Sequence, residues 1–260
     1  MSKPRQRIAV FANNRLGLRV VRHLAADPGT EIRLLVLNSR RRAFASEIAE
    51  AAGAHHPEVW AGDELGDPGK TDQLTSMGLD FGVSVYFGHL LSRGSIRAFQ
   101  RGVLNLHPAL LPFNRGSHPA VWAIWDGTPN GVSIHVIDEG IDTGPVVAQV
   151  PVRVRPTDTA GSLYLRNEDR LFDLFAETYP AWCEGRVRNA RVSGAGSYHR
   201  LADFDQVARV TMDEATTVGD LIRRMRAATF DVGGGLIITG DHGCRYRARI
   251  SIAEEEDPDE

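Results

Sequence analysis

Asn105 and His107 stand two apart in the run Val103-Leu104-Asn105-Leu106-His107, which Pro108 ends at once. In a strand, side chains two apart share a face, so the amide and the imidazole project together while Leu104 and Leu106 face the other way. An amide donates hydrogen bonds and an imidazole exchanges a proton near neutral pH, so the pair suits charge stabilisation and proton transfer on a bound molecule. A histidine at a strand end is also commonly a surface or hydrogen-bonded structural residue. The asparagine on the same face weighs against that reading and leaves it open.

The elements that must hold the pair read as α/β. Residues 7–12 form a short apolar run, followed by Asn13-Asn14-Arg15 and a helical spacing of Leu16, Val20, Val21 and Leu24. Runs at 32–37 and 79–87 alternate with helix-like stretches at 42–52 and 70–77, a pattern that predicts βαβ units and a parallel sheet. The strand 102–107 follows, then a helix started by Ser117 with Pro119 in its first turn. Strands at 131–138 and 145–154, joined by Glu139-Gly140-Ile141-Asp142-Thr143-Gly144, are expected to pair antiparallel. One long helix over 158–184 closes the first domain, and 185–198 reads as a linker or loose strand pair. Beyond it lie a helix at 216–228, a turn at Gly233-Gly234-Gly235, and short strands at 236–239 and 244–252. The organisation expected is a Rossmann-like, mostly parallel sheet flanked by helices over 1–185, a small mixed α+β module over 186–253, and a disordered acidic tail over 254–260. In open α/β sheets ligands bind beyond the carboxyl ends of the strands, where Asn105 and His107 would sit.

Composition removes several function classes. The 260 residues carry 30 Lys plus Arg against 33 Asp plus Glu, a formal charge of -3, so there is no overall basic field for nucleic acid. Cys183 and Cys244 are far apart, which indicates neither a disulfide framework nor a cysteine zinc site, and a reducing cytoplasm fits best. No apolar run approaches the roughly 18–20 residues of a membrane span, and the first strand begins too early for a signal peptide. The first loop lacks G-x-G-x-x-G, which disfavours a nicotinamide site. Arg40-Arg41-Arg42 reads as a solvated helix start sooner than a phosphate site. His55-His56 and the pair His107 and His118 lack the carboxylate or cysteine that would complete a metal set, so no metal is expected. The turn 138–144 departs from calcium-loop spacing, and no Lys-Ser or Lys-Thr follows Gly233–Gly235.

The segment from Asn105-Leu106-His107-Pro108 through LLPFNRGSHPAVWAIWDGTPNGVSIHVIDEGIDTGP resembles the folate-dependent formyltransferase family. The likeness is continuous over roughly 102–150 and extends in outline over 1–185. It implies an N-formyltransferase whose co-substrate is 10-formyltetrahydrofolate and which needs no metal. By motif position the family's catalytic trio falls on Asn105, His107 and Asp142. In that chemistry a neutral amine attacks the formyl carbon, negative charge develops on the formyl oxygen, and a proton must leave the amine. Asn105 and His107 would stabilise the oxyanion, His107 would take or relay the proton, and Asp142 would orient His107. The resemblance places the pteridine ring between Tyr86-Phe87-Gly88-His89-Leu90-Leu91 and the loop Asp138 to Asp142, with Gly140 and Ile141 in contact, largely through main-chain groups. On spacing alone Phe87, Leu90 and Leu91 read as ordinary core. The acceptor would lie near Asn13, Asn14, Arg115 and Gly116, the first two also reading as a simple turn.

The acceptor must be argued from the rest of the chain. Residues 186–260 hold eleven Arg and no Lys against thirteen Asp plus Glu, six of those acids falling in the last seven residues. A tRNA-binding member would be expected to be longer and more basic there. The form Asn114-Arg115-Gly116-Ser117-His118-Pro119 looks closer to members acting on small amines. The expected substrate is therefore a nucleotide-linked amino sugar or an amino-acid-derived amine such as N-hydroxyornithine. Methionyl-tRNA formylation stands second and hydrolysis of 10-formyltetrahydrofolate last. No membrane or nucleic-acid partner is expected, and a homodimer is open.

Overall fold

In the computed structural model, which describes residues 5–40, 42–192, 194–230 and 233–255, the apolar runs become strands and the amphipathic stretches helices. The order is β1 (Gln6–Ala12), α1 (Asn14–Ala26), β2 (Thr30–Leu37), α2 (Ala45–Ala52), β3 (Glu58–Ala61), α3 (Pro68–Ser76), β4 (Phe81–Val85), α4 (Arg93–Arg97) and β5 (Val103–His107). Then follow β6 (Arg115–Gly116), α5 (Pro119–Trp125), β7 (Gly131–Val136), β8 (Val146–Pro151) and α6 (Ala160–Cys183). The last segment holds β9 (Tyr198–His199), α7 (Phe204–Ala208), β10 (Arg209–Thr211), α8 (Val218–Ala228), β11 (Leu236–Thr239) and β12 (Arg245–Ala248).

Seven strands form one sheet in the order β3-β2-β1-β4-β5-β7-β8. Strands β3, β2, β1, β4 and β5 are mutually parallel, and β7 joins β5 antiparallel. β8 lies beside β7 and runs against it: Val136 N–H donates to Pro145 O at 2.9 Å and Val152 N–H to Asn130 O at 3.0 Å. The fold is thus the expected Rossmann-like, mostly parallel α/β sheet, with a small mixed sheet, β10-β11-β12, toward the carboxyl end. Continuous burial of β4 explains its unalternating FGVSV, since a central parallel strand is covered on both faces. The helical spacing of Leu16, Val20, Val21 and Leu24 is the buried face of α1.

The chain divides into two compact units. One comprises residues 1–107, 133–149 and 169–192, the other 108–132, 150–168 and 193–260. The first has a core around Ala9, Phe11, Leu34, Val36, Trp60 and Val103. In the second, Trp122, Ile124, Leu163, Val207 and Ala227 pack together. At the head of α6 the buried Asp158 carboxylate accepts from Arg166, from the Arg155 amide at 2.6 Å and from the Ser162 hydroxyl at 2.9 Å. No helix among the described residues is long and apolar enough to cross a membrane.

Several expectations need correction. Ser117 does not start α5; His118 takes the N-cap position in a left-handed conformation, φ 58°, and Ser117 pairs with the later chain instead, its amide donating to His199 O at 2.9 Å. The short edge strand β3 gave no alternation to read, and β6, β9 and β10, of two or three residues each, are too brief for a periodicity. Arg41 and the last five residues of the acidic tail lie outside the described residues.

Candidate active site

Parallel pairing brings the carboxyl ends of β1, β4 and β5 level, with Ala12 opposite Val85 and Val85 opposite Leu106. His107 therefore closes β5 where the chain leaves β1 at Asn13 and β4 at Tyr86. The antiparallel neighbour β7 sets His135 opposite Asn105 and Ser133 opposite His107, and residues opposite one another share a face. His135 thus joins the polar face that Asn105 and His107 begin. His135 is not among the residues expected from the sequence, although Ser133 and His135 alternate with apolar residues in Gly131-Val132-Ser133-Ile134-His135. That alternation was the available signal.

The loop after β7 returns Asp142 to the same place. Asp138 organises the loop through its own carboxylate, accepting from Gly140 N at 3.1 Å and from the Thr143 hydroxyl at 2.6 Å. Gly144 lets the chain turn back tightly, since a Cβ there would stand 1.7 Å from Val136 O. Asp142 itself sits at φ 52°, a left-handed conformation that costs a non-glycine residue energy and that clusters at functional sites. Asn14 at φ 62° and Tyr86 at φ 51° share this property at the ends of the neighbouring strands.

The four side chains meet. Asn105 Nδ2 lies 3.0 Å from His135 Nε2 and 3.4 Å from Asp142 Oδ1. Because an amide nitrogen only donates, His135 Nε2 accepts, which puts the His135 proton on Nδ1, 3.3 Å from Val136 O. His107 Nδ1 stands 3.7 Å from Asp142 Oδ2, within ion-pair reach. His135 and His107 side chains are 2% and 6% exposed, and Asp142 13%, so one carboxylate faces two imidazoles with little water to screen it. The short bond to His135 fixes the Asn105 amide. Its longer contact with Asp142 is the donor that an incoming oxyanion can take over.

The remaining expected site residues divide. Asn13 is buried, and its main chain bonds Val85 O and Gly17 N, so it builds the β1–α1 turn; the Asn14 amide bonds Ala43 O at 3.2 Å. Phe87 packs on the core with its ring 5.4 Å from Phe11, and Leu91 packs there too, so what these two offer a ligand is main chain. Gly88 N donates to Asn38 Oδ1 at 2.9 Å, tying that loop to the end of β2. Leu90 is 81% exposed and Ile141 39% exposed. Arg115 and Gly116 belong to the second unit, where they form β6 and pair with β9.

Residues 8–178 match the formyl transferase family. The chain belongs to that family. Among relatives, the dTDP-4-amino-4,6-dideoxyglucose formyltransferase of Mycobacterium tuberculosis is 36% identical over 128 residues, 49% of this chain and 55% of that protein. The methionyl-tRNA formyltransferase of Myxococcus xanthus is 31% identical over 186 residues, 71% of this chain and 59% of that one. The chain thus spans a little over half the length of these relatives. Among solved structures, a 4-N formyltransferase from Francisella tularensis superposes with a TM-score of 0.83 at 20% identity, covering 96% of this chain and 99% of that one. The formyltransferase PseJ of Anoxybacillus kamchatkensis, solved with UDP-4,6-dideoxy-4-formamido-L-AltNAc and tetrahydrofolate, gives a TM-score of 0.54 at 28% identity over 67% of this chain and 88% of that one.

Proposed function

We infer that this formyltransferase moves the formyl group of 10-formyltetrahydrofolate to the amine of a nucleotide-linked amino sugar. The observation that carries the reading is the cluster of Asn105, His107, His135 and Asp142 at the carboxyl edge of the sheet. In the step inferred, the neutral amine attacks the formyl carbon and forms the new C–N bond. The carbonyl electron pair moves to oxygen, where Asn105 Nδ2 and a His107 N–H donate to it. The amine proton passes through His107 to N10 of the folate as the old C–N bond breaks, and tetrahydrofolate leaves. Asp142 holds His107 in the useful orientation, and His135 holds Asn105.

The pteridine would lie against the main chain of 86–91 and of 138–142, with Asn13, Asn14, Arg115 and Gly116 serving the acceptor. Support for a sugar acceptor comes from the Mycobacterium relative and from the formamido-sugar and tetrahydrofolate held by PseJ. The same reading assigns catalysis to 1–185 and acceptor recognition in part to the module 186–253. Charge weighs little against tRNA, because the acids of 254–260 supply the excess and residues 186–253 carry eleven Arg against seven acids. The test is a panel of nucleotide-linked 4-amino sugars, N-hydroxyornithine and Met-tRNA, each incubated with 10-formyltetrahydrofolate while tetrahydrofolate release and the formylated product are followed. A sugar product supports the reading, and formyl-Met-tRNA as the preferred product replaces it.

A further inference from the structure

Within the second unit, the loop leading into α5 is held by a short segment that lies beyond the part of the chain matching the family, residues 8–178. The loop is unusual in its backbone: Asn114, Gly116 and His118 take φ values of 54°, 87° and 58°. Two of these are non-glycine residues in the left-handed region, a state that persists only where surrounding contacts impose it. Gly196–His199 supply those contacts. Asn114 N donates to Ser197 Oγ at 2.8 Å, and the same hydroxyl donates to Asn114 Oδ1 at 3.0 Å. Arg115 N bonds Ser197 O at 3.0 Å, and Ser117 N bonds His199 O at 2.9 Å, the pairing of β6 with β9.

Packing closes the arrangement. A Cβ on Gly116 would stand 2.3 Å from His199 O, and one on Gly196 would stand 2.2 Å from Pro112 O, so both sides of the contact are glycine where backbone meets backbone. The His199 ring stacks on Trp122 at 3.8 Å between centroids and 8° between planes, and its Nε2 lies 3.1 Å from Asp126 Oδ2. Trp122 Nε1 in turn donates to Ser117 O at 2.8 Å. The strap thereby holds the loop at Asn114, Arg115 and Ser117, and Thr128 adds a second hold on the Asn114 side chain at 2.8 Å. Between those fixed points lies a cationic side chain whose Nε is buried and meets no acceptor among the described residues, that of Arg115. A buried guanidinium N–H without a partner is costly, and an anionic oxygen in fork geometry satisfies it.

We propose that Gly196–His199 is a positioning strap for acceptor recognition: through Ser197 and His199 it holds the loop Asn114–His118 so that Arg115 meets an anionic oxygen, such as a diphosphate oxygen, of the amine acceptor. The inference rests on the amino-sugar reading above. Ser197 and His199 are positioning residues, and they act on binding of the acceptor without touching the formyl group.

The experiment measures steady-state formylation of a dTDP-linked 4-amino sugar by the full chain and by Ser197→Ala, Ser197→Thr, His199→Phe and Arg115→Gln, with melting curves for each. Ser197→Ala and Arg115→Gln are expected to raise the acceptor KM about tenfold, the scale of one hydrogen bond to a buried or charged group. The folate KM should stay within about twofold, and Ser197→Thr, which keeps the hydroxyl, should restore the acceptor KM. His199→Phe keeps the stack on Trp122 and removes only the Asp126 pair, so it carries the test even if Ser197→Ala folds poorly, with an expected rise of about threefold. Unchanged acceptor KM in folded Ser197→Ala and His199→Phe overturns the strap, as does a fall in kcat alone with both KM values intact. A wild-type chain that formylates no amino sugar overturns the underlying reading, and the strap falls with it.

Discussion

Asn105 and His135 face each other across the antiparallel pair β5–β7, Nδ2 to Nε2 at 3.0 Å, and that bond decides which way the Asn105 amide points. Without it the amide could rotate, and its donor would no longer be fixed beside His107. His135→Leu is therefore expected to lower kcat about tenfold to a hundredfold with little change in either KM. His135→Gln, whose side-chain oxygen can accept the same bond, should recover part of the loss. Equal loss in both variants would show that the acceptor atom is not what matters.

Asp142 faces His107 at 3.7 Å and both Asn105 and His135 at 3.4 Å. Asp142→Asn keeps the size and removes the charge, so His107 loses the carboxylate that orients it and favours its protonated form in the transition state. The expected fall in kcat is about a hundredfold or more, on the scale of a carboxylate that orients a catalytic imidazole. Single-turnover rates read this directly, and a rate within threefold of wild type would remove Asp142 from the proposed mechanism.

Gly144 tests whether the loop must turn where it does. A methyl group at this position would overlap Val136 O, 1.7 Å from the ideal Cβ, and backbone atoms cannot move aside cheaply. Gly144→Ala should displace Asp142, lower the melting temperature by several degrees and depress kcat along with it, about 1–3 kcal/mol of strain being typical of overpacking. Gly140→Ala meets the Thr143 side chain instead, which can turn away at the cost of its bond to Asp138, so a milder loss than with backbone overlap is expected there.

Asp158 gives the chain an acid-sensitive point outside the site. Burial alone would raise its carboxyl, but hydrogen bonds from Arg166, the Arg155 amide and Ser162 outweigh that and hold it below the usual range. A carboxyl depressed by folding contributes stability that is full above its unfolded value of about 3.9 and is lost as pH falls through the lower native value. Urea unfolding of wild type and Asp158→Asn should differ by about 2 kcal/mol at neutral pH, and the gap should close in strong acid. A gap independent of pH would assign the effect to packing.

Much of the sheet was legible because its strands are apolar runs punctuated by turn residues, and their parallel direction followed from the helices between them. Asn105 and His107 could be read from two-residue periodicity, and Asp142 only through the family motif, since nothing local says that the turn after β7 folds back onto β5. His135 was legible in principle, as a polar residue alternating along an otherwise apolar strand, but its relevance depends on which strand β7 pairs with. The grip of Ser197 and His199 on Asn114 and Ser117 spans about 80 residues of chain and leaves no periodic trace. It is carried by two-residue strands and by glycines whose reason is a contact far away in sequence.

Amine-dependent formyl transfer is read directly by incubating the purified chain with 10-formyltetrahydrofolate and following tetrahydrofolate release with and without a nucleotide-linked amino sugar, His107→Ala serving as control. Release that requires the amine, yields the formamido sugar and is lost in the variant is the predicted result. Release at the same rate without any amine would identify a hydrolase and contradict the account.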